Sequence, residues 1–138
     1  METITWRLET KTLDETIAAL AHWQTWMVKV TASALYGIAE EVMTRSKDIV
    51  PVDTGNLKST GHVQPPKISG PIIEVTLGYG GTAANGEEVG YAWYVHENPE
   101  AQHAAPTQWK YLETPLNERM NDIDHLLALA INELMALR

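Results

Sequence analysis

The sequence predicts an α+β fold, in which a long N-terminal helix and a C-terminal helix pack on one face of a small, mostly antiparallel sheet of about four strands. Three observations predict this class. Residues 13–48 contain no proline and keep their apolar side chains at helical spacing. Several short segments alternate polar and apolar residues, as half-buried strands do. A second helical pattern follows two prolines near the C-terminus.

Composition narrows the function classes. The 138 residues suit one domain, and 44% hydrophobic with 20% charged residues is close to the globular average. The absence of cysteine excludes a disulfide scaffold, a zinc–thiolate site and a thiol nucleophile. Ten Lys and Arg against 18 Asp and Glu give a net charge of −8, which disfavours binding to a phosphate backbone. We expect no signal peptide, because the first twenty residues carry four acidic residues and no apolar run. We expect no membrane helix, because no apolar run approaches ~20 residues.

The first predicted elements are a strand and a long helix. Residues 3–9 alternate cleanly, which predicts a short half-buried strand. A capping box at residues 12–15 then starts a helix predicted over residues 13–48. At 1.5 Å per residue this helix is roughly 50 Å long, more than one small domain covers by itself. Along the helix, apolar residues recur mostly three, four or seven positions apart, at Leu13, Ile17, Leu20, Met27, Ala34, Ile38 and Val42.

Two tryptophans widen the apolar face of this helix. Trp23 and Trp26 lie beside the main stripe. They either cover the sheet or form a subunit contact, since tryptophan is enriched at protein interfaces. Both interpretations remain open at this point.

A dense turn signal ends the helix. Residues 51–56 read Pro-Val-Asp-Thr-Gly-Asn, a composition typical of tight turns. We expect Gly55 to take a positive φ and the Asp53 carboxylate to bond nearby backbone amides. Both residues are therefore predicted to shape the return of the chain from helix to sheet.

Three strands and a last helix complete the predicted order. The strands cover residues 57–63, 72–79 and 91–96, and the second shows the clearest alternation in the chain. A polar, glycine-rich loop over residues 80–90 separates the last two strands. The C-terminal helix is predicted over residues 107–137, directly after Pro106.

One motif suggests catalysis. The element Val52-Asp53-Thr54-Gly55 occurs in aspartic proteases, where two carboxylates share a proton across a two-fold axis. One copy in so short a chain could serve a homodimer. The preceding helix and the following Asn56 depart from the protease pattern, so a structural turn is the favoured interpretation.

Two other patterns predict no cofactor site. His96-Glu97 and the later His103 lack the four-residue helical spacing of a metalloprotease. The glycine-rich residues 78–81 are followed by turn residues instead of a phosphate-binding helix, and no P-loop lysine follows. We therefore expect no enzyme activity, no cofactor and no metal.

Three further segments occur in a fixed order. The first is Pro51-Val52-Asp53-Thr54-Gly55-Asn56-Leu57-Lys58-Ser59, the second is Tyr91-Ala92-Trp93-Tyr94-Val95, and the third is Ala105-Pro106 with Trp109, Tyr111 and Leu112 after it. Together they resemble a family of tailed-phage proteins of the head–tail joining region, which includes neck, tail-completion and minor capsid or tail components. That family carries a helix, then Pro-x-Asp-Thr-Gly-x-Leu-basic-x-Ser, then a Tyr-Ala-x-Tyr-Val-Glu segment and a proline-led last helix. After the second segment this chain has His-Glu-Asn-Pro, where the family has Glu and an apolar–Gly pair. The resemblance gives architectural roles to Pro51, Asp53, Thr54, Gly55, Leu57, Tyr91, Ala92, Tyr94 and Pro106.

The resemblance implies a structural virion protein that forms a homo-oligomeric ring, commonly a hexamer, at the head–tail junction. Its partners are expected to be copies of itself and other neck, connector or tail proteins, in the virion and in the host cytoplasm during assembly. DNA is expected to pass through without sequence-specific binding, which agrees with the negative charge. Candidate contacts between subunits or rings are Trp23, Trp26, Gly80, Gly81, Asn85, Glu87, Glu88, His96 and Glu97.

Two alternatives to a virion ring remain. One is a soluble prophage-encoded or cellular binding module with the same α+β fold. The other is a homodimeric aspartic protease that uses Asp53. Ring-sized oligomers separate the first alternative from the joining protein, and a peptidase activity that depends on Asp53 identifies the second.

Overall fold

The computed structural model describes residues 10–100 and 104–137, and these residues form an α+β fold. The predicted strand over residues 3–9 lies outside the described residues. The helices are α1 (Thr10–Ile49), α2 (Asn56–Ser59), α3 (Ala92–Glu97), α4 (Glu113–Met120) and α5 (Ile123–Ala136). The strands are β1 (His62–Val63), β2 (Lys67–Ser69), β3 (Ile72–Glu74), β4 (Leu77–Gly78), β5 (Gly81–Thr82) and β6 (Glu88–Val89).

The long N-terminal helix is confirmed. α1 has 40 residues, so it begins three residues before the predicted helix and ends one residue after it. Its length is about 60 Å at 1.5 Å per residue. The amide of Val50 still donates to the Ser46 carbonyl at 2.9 Å. Pro51 has no amide hydrogen, and it stops the helix there.

The strands form three separate antiparallel pairs in place of the single sheet of about four strands that was predicted. β1 pairs with β4, β2 with β3, and β5 with β6. Each strand has only two or three residues. Such short pairs offer no continuous apolar face, which is why the helices pack on one another instead of on one sheet.

The helices α4 and α5 pack directly against α1. Leu134 of α5 and Leu137, the residue that follows α5, line one groove with Trp26 and Val30 of α1. The half-buried residues of α5 recur at helical spacing, so one face of this helix is turned to α1. Among the described residues, no helix combines the length and the apolar character that a bilayer crossing requires.

The predicted strand over residues 57–63 is wrong in its first half. Residues 56–59 form the single-turn helix α2, and only the last two residues are a strand. The Ser59 amide donates to the Gly55 carbonyl at 3.0 Å, and the Thr60 hydroxyl donates to the Leu57 carbonyl at 2.7 Å. These local bonds hold the chain in a turn, because short hydroxyl side chains compete with strand pairing.

The predicted strand over residues 72–79 is interrupted. Its two ends pair with different partners, β3 with β2 and β4 with β1. The Thr76 carbonyl at the break accepts a hydrogen bond from Gln64 at 2.7 Å. The alternation itself is correct, because Ile73, Val75, Leu77 and Tyr79 are half-buried whereas Glu74 and Thr76 are exposed.

The predicted strand over residues 91–96 is a helix, α3. Helical spacing turns Ala92 and Val95 towards the core, where both pack against buried residues. Trp93 and Tyr94 project outwards, with 76% and 63% of their surface exposed. A run of six residues satisfies both a period of two and a helical period, so its pattern does not distinguish strand from helix.

The C-terminal helix predicted over residues 107–137 begins later and is divided. The Gln108 amide donates to the Ile49 carbonyl at 2.8 Å, and the Lys110 amide donates to the His96 carbonyl at 2.7 Å. These tertiary bonds hold the segment before Glu113 out of a helix. A turn at residues 121–122 then separates α4 from α5.

The main core lies at the C-terminal end of α1. Its members come from the last residue of α1 and the residue after it, from α2, from the β5–β6 hairpin and from the segment before α4. Around it pack Tyr79, Ala92, Val95 and Leu112, which are partly buried. The core residues are Ile49, Val50, Leu57, Ala83, Val89 and Tyr111.

Candidate functional site

The two motif segments that are distant in sequence meet at one shallow cleft of about 210 Å³, called here the turn cleft. The turn after α1 forms one wall, and the start of α3 forms the other. The resemblance drew on both segments without placing them together, so their contact comes from the tertiary structure. The cleft is lined by Pro51, Val52, Asp53, Thr54, Gly55, Leu57, Tyr91 and Val95.

The geometry of the turn confirms the positive φ expected at Gly55, which is +85°. That conformation starts α2 and places Leu57 in the core with 5% of its surface exposed. The Thr54 hydroxyl accepts a hydrogen bond from the Asn56 amide at 3.3 Å. The Asp53 carboxylate was expected to accept such bonds, but within the described residues it forms none and stays exposed.

The turn cleft has one aspartate among its lining residues, Asp53. Aspartic proteolysis needs two carboxylates that share a proton. A second copy of the chain has to supply the other carboxylate if this chemistry is to operate. The geometry of one chain therefore supports a structural turn more directly than a catalytic pair.

The remaining motif residues have different surroundings. The Ala92 carbonyl accepts a hydrogen bond from the Tyr111 hydroxyl at 2.8 Å, which ties α3 to the core. The Tyr94 hydroxyl accepts a bond from Asn98 at 3.1 Å on the surface. Pro106 is exposed in the turn that precedes α4, and it does not start a helix. Architectural contacts are thus clear for Ala92 and weak for Tyr94 and Pro106.

The glycine-rich loop proposed as an inter-ring contact is a hairpin attached to α2. Gly81 pairs with Val89 across the β5–β6 pair, and Gly80 donates its amide to the Thr60 hydroxyl at 3.0 Å. Its two acidic residues are also engaged within the chain. Glu87 accepts a hydrogen bond from Asn56, and Glu88 accepts one from Thr82 at 2.6 Å. Asn85 accepts from the Glu87 amide at 3.1 Å, which closes the turn.

An open groove of about 370 Å³ lies on the other side of α3, called here the aromatic groove. Tyr111 packs edge-to-face against Tyr79 and His96, with ring centroids 5.1 and 5.0 Å apart. Sequence reasoning missed this groove, although the concentration of aromatic residues at 91–94 and 109–111 was visible. Its lining residues are Gly78, Tyr79, Ala92, Trp93, His96, Glu97, Tyr111 and Leu112.

Both buried tyrosine hydroxyls in this region are satisfied within the chain. The Tyr79 hydroxyl lies 2.8 Å from the Ser46 hydroxyl, and Ser46 is fully buried. Burial raises the pKa of Tyr79 to about 12, although its bond to Ser46 acts in the opposite direction. Burial raises the pKa of Tyr111 as well. Both phenols are therefore neutral at physiological pH. Tyr79 is half-buried, whereas Tyr111 belongs to the core with 1% of its surface exposed.

A polar cluster forms the rim of the aromatic groove. The His96 Nδ1 donates to the Glu97 carboxylate at 2.7 Å, and its Nε2 accepts the Glu113 amide at 3.3 Å. This pattern assigns a neutral imidazole. The Lys110 ammonium lies 2.6 Å from Glu113 and 3.8 Å from Glu97. Hydrogen bonding between Lys110 and Glu113 lowers the pKa of Glu113 and raises that of Lys110.

The same cluster contains three possible metal ligands. Ligand atoms of His96, Glu97 and Glu113 lie within 4.8 Å of one another. Both imidazole nitrogens already have hydrogen-bond partners, and Lys110 neutralises one carboxylate. A metal ion has to displace these contacts, so the arrangement fits an ion-pair network better than a metal centre. His103, the third histidine considered from the sequence, lies outside the described residues.

The N-terminal part of α1 forms a third exposed surface. All side chains of residues 13–25 are exposed. Four large apolar side chains lie along one side of this segment, with 42–62% of their surface exposed, and they are called here the α1 stripe. Trp26, the next tryptophan, is half-buried and lines a groove with α5 instead of covering a sheet. The α1 stripe consists of Leu13, Ile17, Leu20 and Trp23.

No protein-family model matches the chain, and no curated protein or solved structure is significantly similar to it. The resemblance to tailed-phage joining proteins therefore rests on the motif residues quoted above. Three surfaces of the described chain are open to another molecule: the turn cleft, the aromatic groove and the α1 stripe.

Proposed function

We propose that this chain is a structural protein of a tailed-phage virion, which forms a homo-oligomeric ring at the head–tail junction. The observation that carries the proposal is the α1 stripe, a row of large apolar side chains on a helix segment that the rest of the described chain leaves uncovered. The ordered motif segments supply the biological setting, because they resemble proteins of that junction.

Physical chemistry favours burial of the α1 stripe in an assembly. Removal of apolar surface from water contributes about 25 cal/mol per Å². Contiguous exposed apolar patches commonly mark protein interfaces, and tryptophan is among the residues enriched there. Residues 10–25 extend about 24 Å along the helix, which is long enough to cross a neighbouring subunit's surface.

The charge of the chain agrees with a DNA passage. A formal net charge of −8 gives a ring of such chains little affinity for the phosphate backbone. DNA can then slide through the opening without being retained. A cellular binding module shares the acidic character, so assembly state is the property that separates the two functions.

The test is the solution mass of the purified chain, measured by light scattering over a range of concentrations. We expect a species of about six or twelve subunits, each of 15.4 kDa, and a central opening in electron micrographs. The variant Leu20→Glu places a charge in the α1 stripe and is expected to yield monomers.

Ala18→Glu is the matched control, because it adds the same charge about 160° away around the same helix. Assembly unaffected by Leu20→Glu contradicts the role of the α1 stripe. A monomer at every concentration contradicts self-assembly into a ring. A dimer with peptidase activity that Asp53→Asn abolishes supports the protease instead.

A further inference from the structure

The aromatic groove combines ring surfaces with a carboxylate. Tyr79 and Tyr111 have their hydroxyls bonded to Ser46 and Ala92, so neither hydroxyl is free to bind a ligand. The Tyr111 ring is buried, with 1% of its surface exposed, and Tyr79 is half-buried. Trp93 stands at the groove with 76% of its surface exposed. An indole this accessible can lie against an incoming planar group without a change in the protein backbone.

The charge at the rim is negative. Glu97 and Glu113 together carry two negative charges, and Lys110 carries one positive charge. The neutral His96 adds none, since its Nε2 accepts a hydrogen bond. Lys110 lies much closer to Glu113 than to Glu97, 2.6 Å against 3.8 Å. The Glu97 carboxylate therefore keeps capacity for a second cation.

We propose that the aromatic groove binds the guanidinium group of an arginine presented by a partner protein, with Trp93 stacking on it and Glu97 pairing with its charge. A guanidinium is planar, stacks on aromatic rings and donates to carboxylates in a fixed fork. Aliphatic side chains match the rings but leave Glu97 without a new partner. Carboxylates and phosphates are repelled by the rim.

The size of the groove agrees with one inserted side chain. About 370 Å³ is at the lower end of the range of small-ligand sites, ~300–1,000 Å³. Gly78 contributes no side chain to its wall, and a Cβ placed there meets nothing within 4 Å. The groove forms within one chain, so this proposal stands whether or not the chain assembles into a ring.

The test uses N-acetyl-arginine methylamide as the probe and the uncharged isostere N-acetyl-citrulline methylamide as its control. Binding is followed by the indole N–H resonances of the five tryptophans, with the Trp93 signal assigned by its loss in Trp93→Phe. We expect a saturable shift of the Trp93 signal with the arginine probe at millimolar concentration, weakened by added salt. The citrulline probe is expected to bind several-fold more weakly.

Glu97→Gln tests the charge without removing the acceptor that His96 uses. It is expected to weaken arginine binding roughly tenfold, whereas Glu100→Gln, an exposed carboxylate outside the groove, leaves it unchanged. Trp93→Leu is expected to abolish binding, because it removes the ring on which the guanidinium stacks. The fold is expected to stay intact, since the Trp93 side chain is largely exposed. Equal binding of citrulline, an unaffected Glu97→Gln variant, or no saturable shift overturns the proposal.

Discussion

The two halves of α1 belong to one continuous helix but have different surroundings. Residues 13–25 are exposed at every position, including four large apolar side chains. From Val30 to Ile49 the same helix buries nearly all of its inner face, against α4, α5, β1 and the core. The hydrophobic spacing is helical in both halves, so the difference lies in what the rest of the chain covers.

This comparison separates folding from association. The C-terminal half of α1 holds the fold, because the core residues gather around its end. Residues 13–25, in the N-terminal half, include no buried side chain. A helix segment that remains in place without burial is available for another molecule, and substitutions in the two halves are expected to have different effects.

The largest expected effect is that of Met43→Ala. Met43 has 2% of its surface exposed, so truncation creates a cavity and costs about 2–5 kcal/mol of unfolding free energy. Leu20→Ala, in the exposed half, is expected to change the unfolding free energy of the monomer by less than about 0.5 kcal/mol. Urea denaturation followed by circular dichroism measures both. Comparable losses of unfolding free energy in the two variants contradict the conclusion that only the C-terminal half of α1 stabilises the fold.

A smaller loss of unfolding free energy is expected at alkaline pH, where Tyr79, which bonds to Ser46 of α1, begins to ionise. A tyrosine in the unfolded chain ionises near the ordinary pKa of 10.0, whereas burial raises the pKa of Tyr79 to about 12. The unfolded state therefore loses its proton first, and the free energy of unfolding falls as pH rises from about 10 to about 12. Because Tyr79 is only partly buried, we expect a fall of no more than about 2 kcal/mol from this residue.

Denaturation curves of the native chain and of Tyr79→Phe across this pH range measure the contribution. The variant starts from a lower stability, since the buried Ser46 hydroxyl loses its partner. Its decline with pH is expected to be shallower. An equally steep decline shows that Tyr79 ionises as readily in the folded chain as in the unfolded one, which contradicts its burial against α1.

The smallest expected effect comes from a matched pair of glycines. Gly55 has a positive φ and Gly37 lies within α1, and a Cβ meets nothing within 4 Å at either position. Gly55→Ala is expected to cost about 1 kcal/mol, because a left-handed conformation is strained for alanine. Gly37→Ala is expected to gain up to about 1 kcal/mol through helix propensity.

Thermal unfolding of both glycine variants measures their melting temperatures. The comparison tests whether the left-handed turn at Gly55 stabilises the packing of α2 and the core on the C-terminal half of α1. Opposite signs support that role. A loss in both variants indicates that α1 tolerates no substitution at Gly37, and no loss at Gly55 shows that the turn adopts another conformation.

Part of the candidate site was predictable from the sequence. The turn at residues 51–56 and the positive φ of Gly55 follow from local composition, and both are present. The aromatic groove was not predicted, because Tyr79, Trp93 and Tyr111 come from three separate segments. The periodicity of apolar residues within one segment contains no information about which other segments it contacts.

The sequence by itself determined the α+β class, the extent of α1, its end before Pro51 and the alternation from Ile73 to Tyr79. These features depend on neighbours a few residues away, through helical hydrogen bonds, steric limits at proline and the period of side-chain direction. The tertiary structure decided that residues 92–97 form a helix, that α4 starts at Glu113 and that residues 13–25 of α1 stay exposed. Those outcomes depend on hydrogen bonds and burial between segments far apart in the chain, which local patterns do not record.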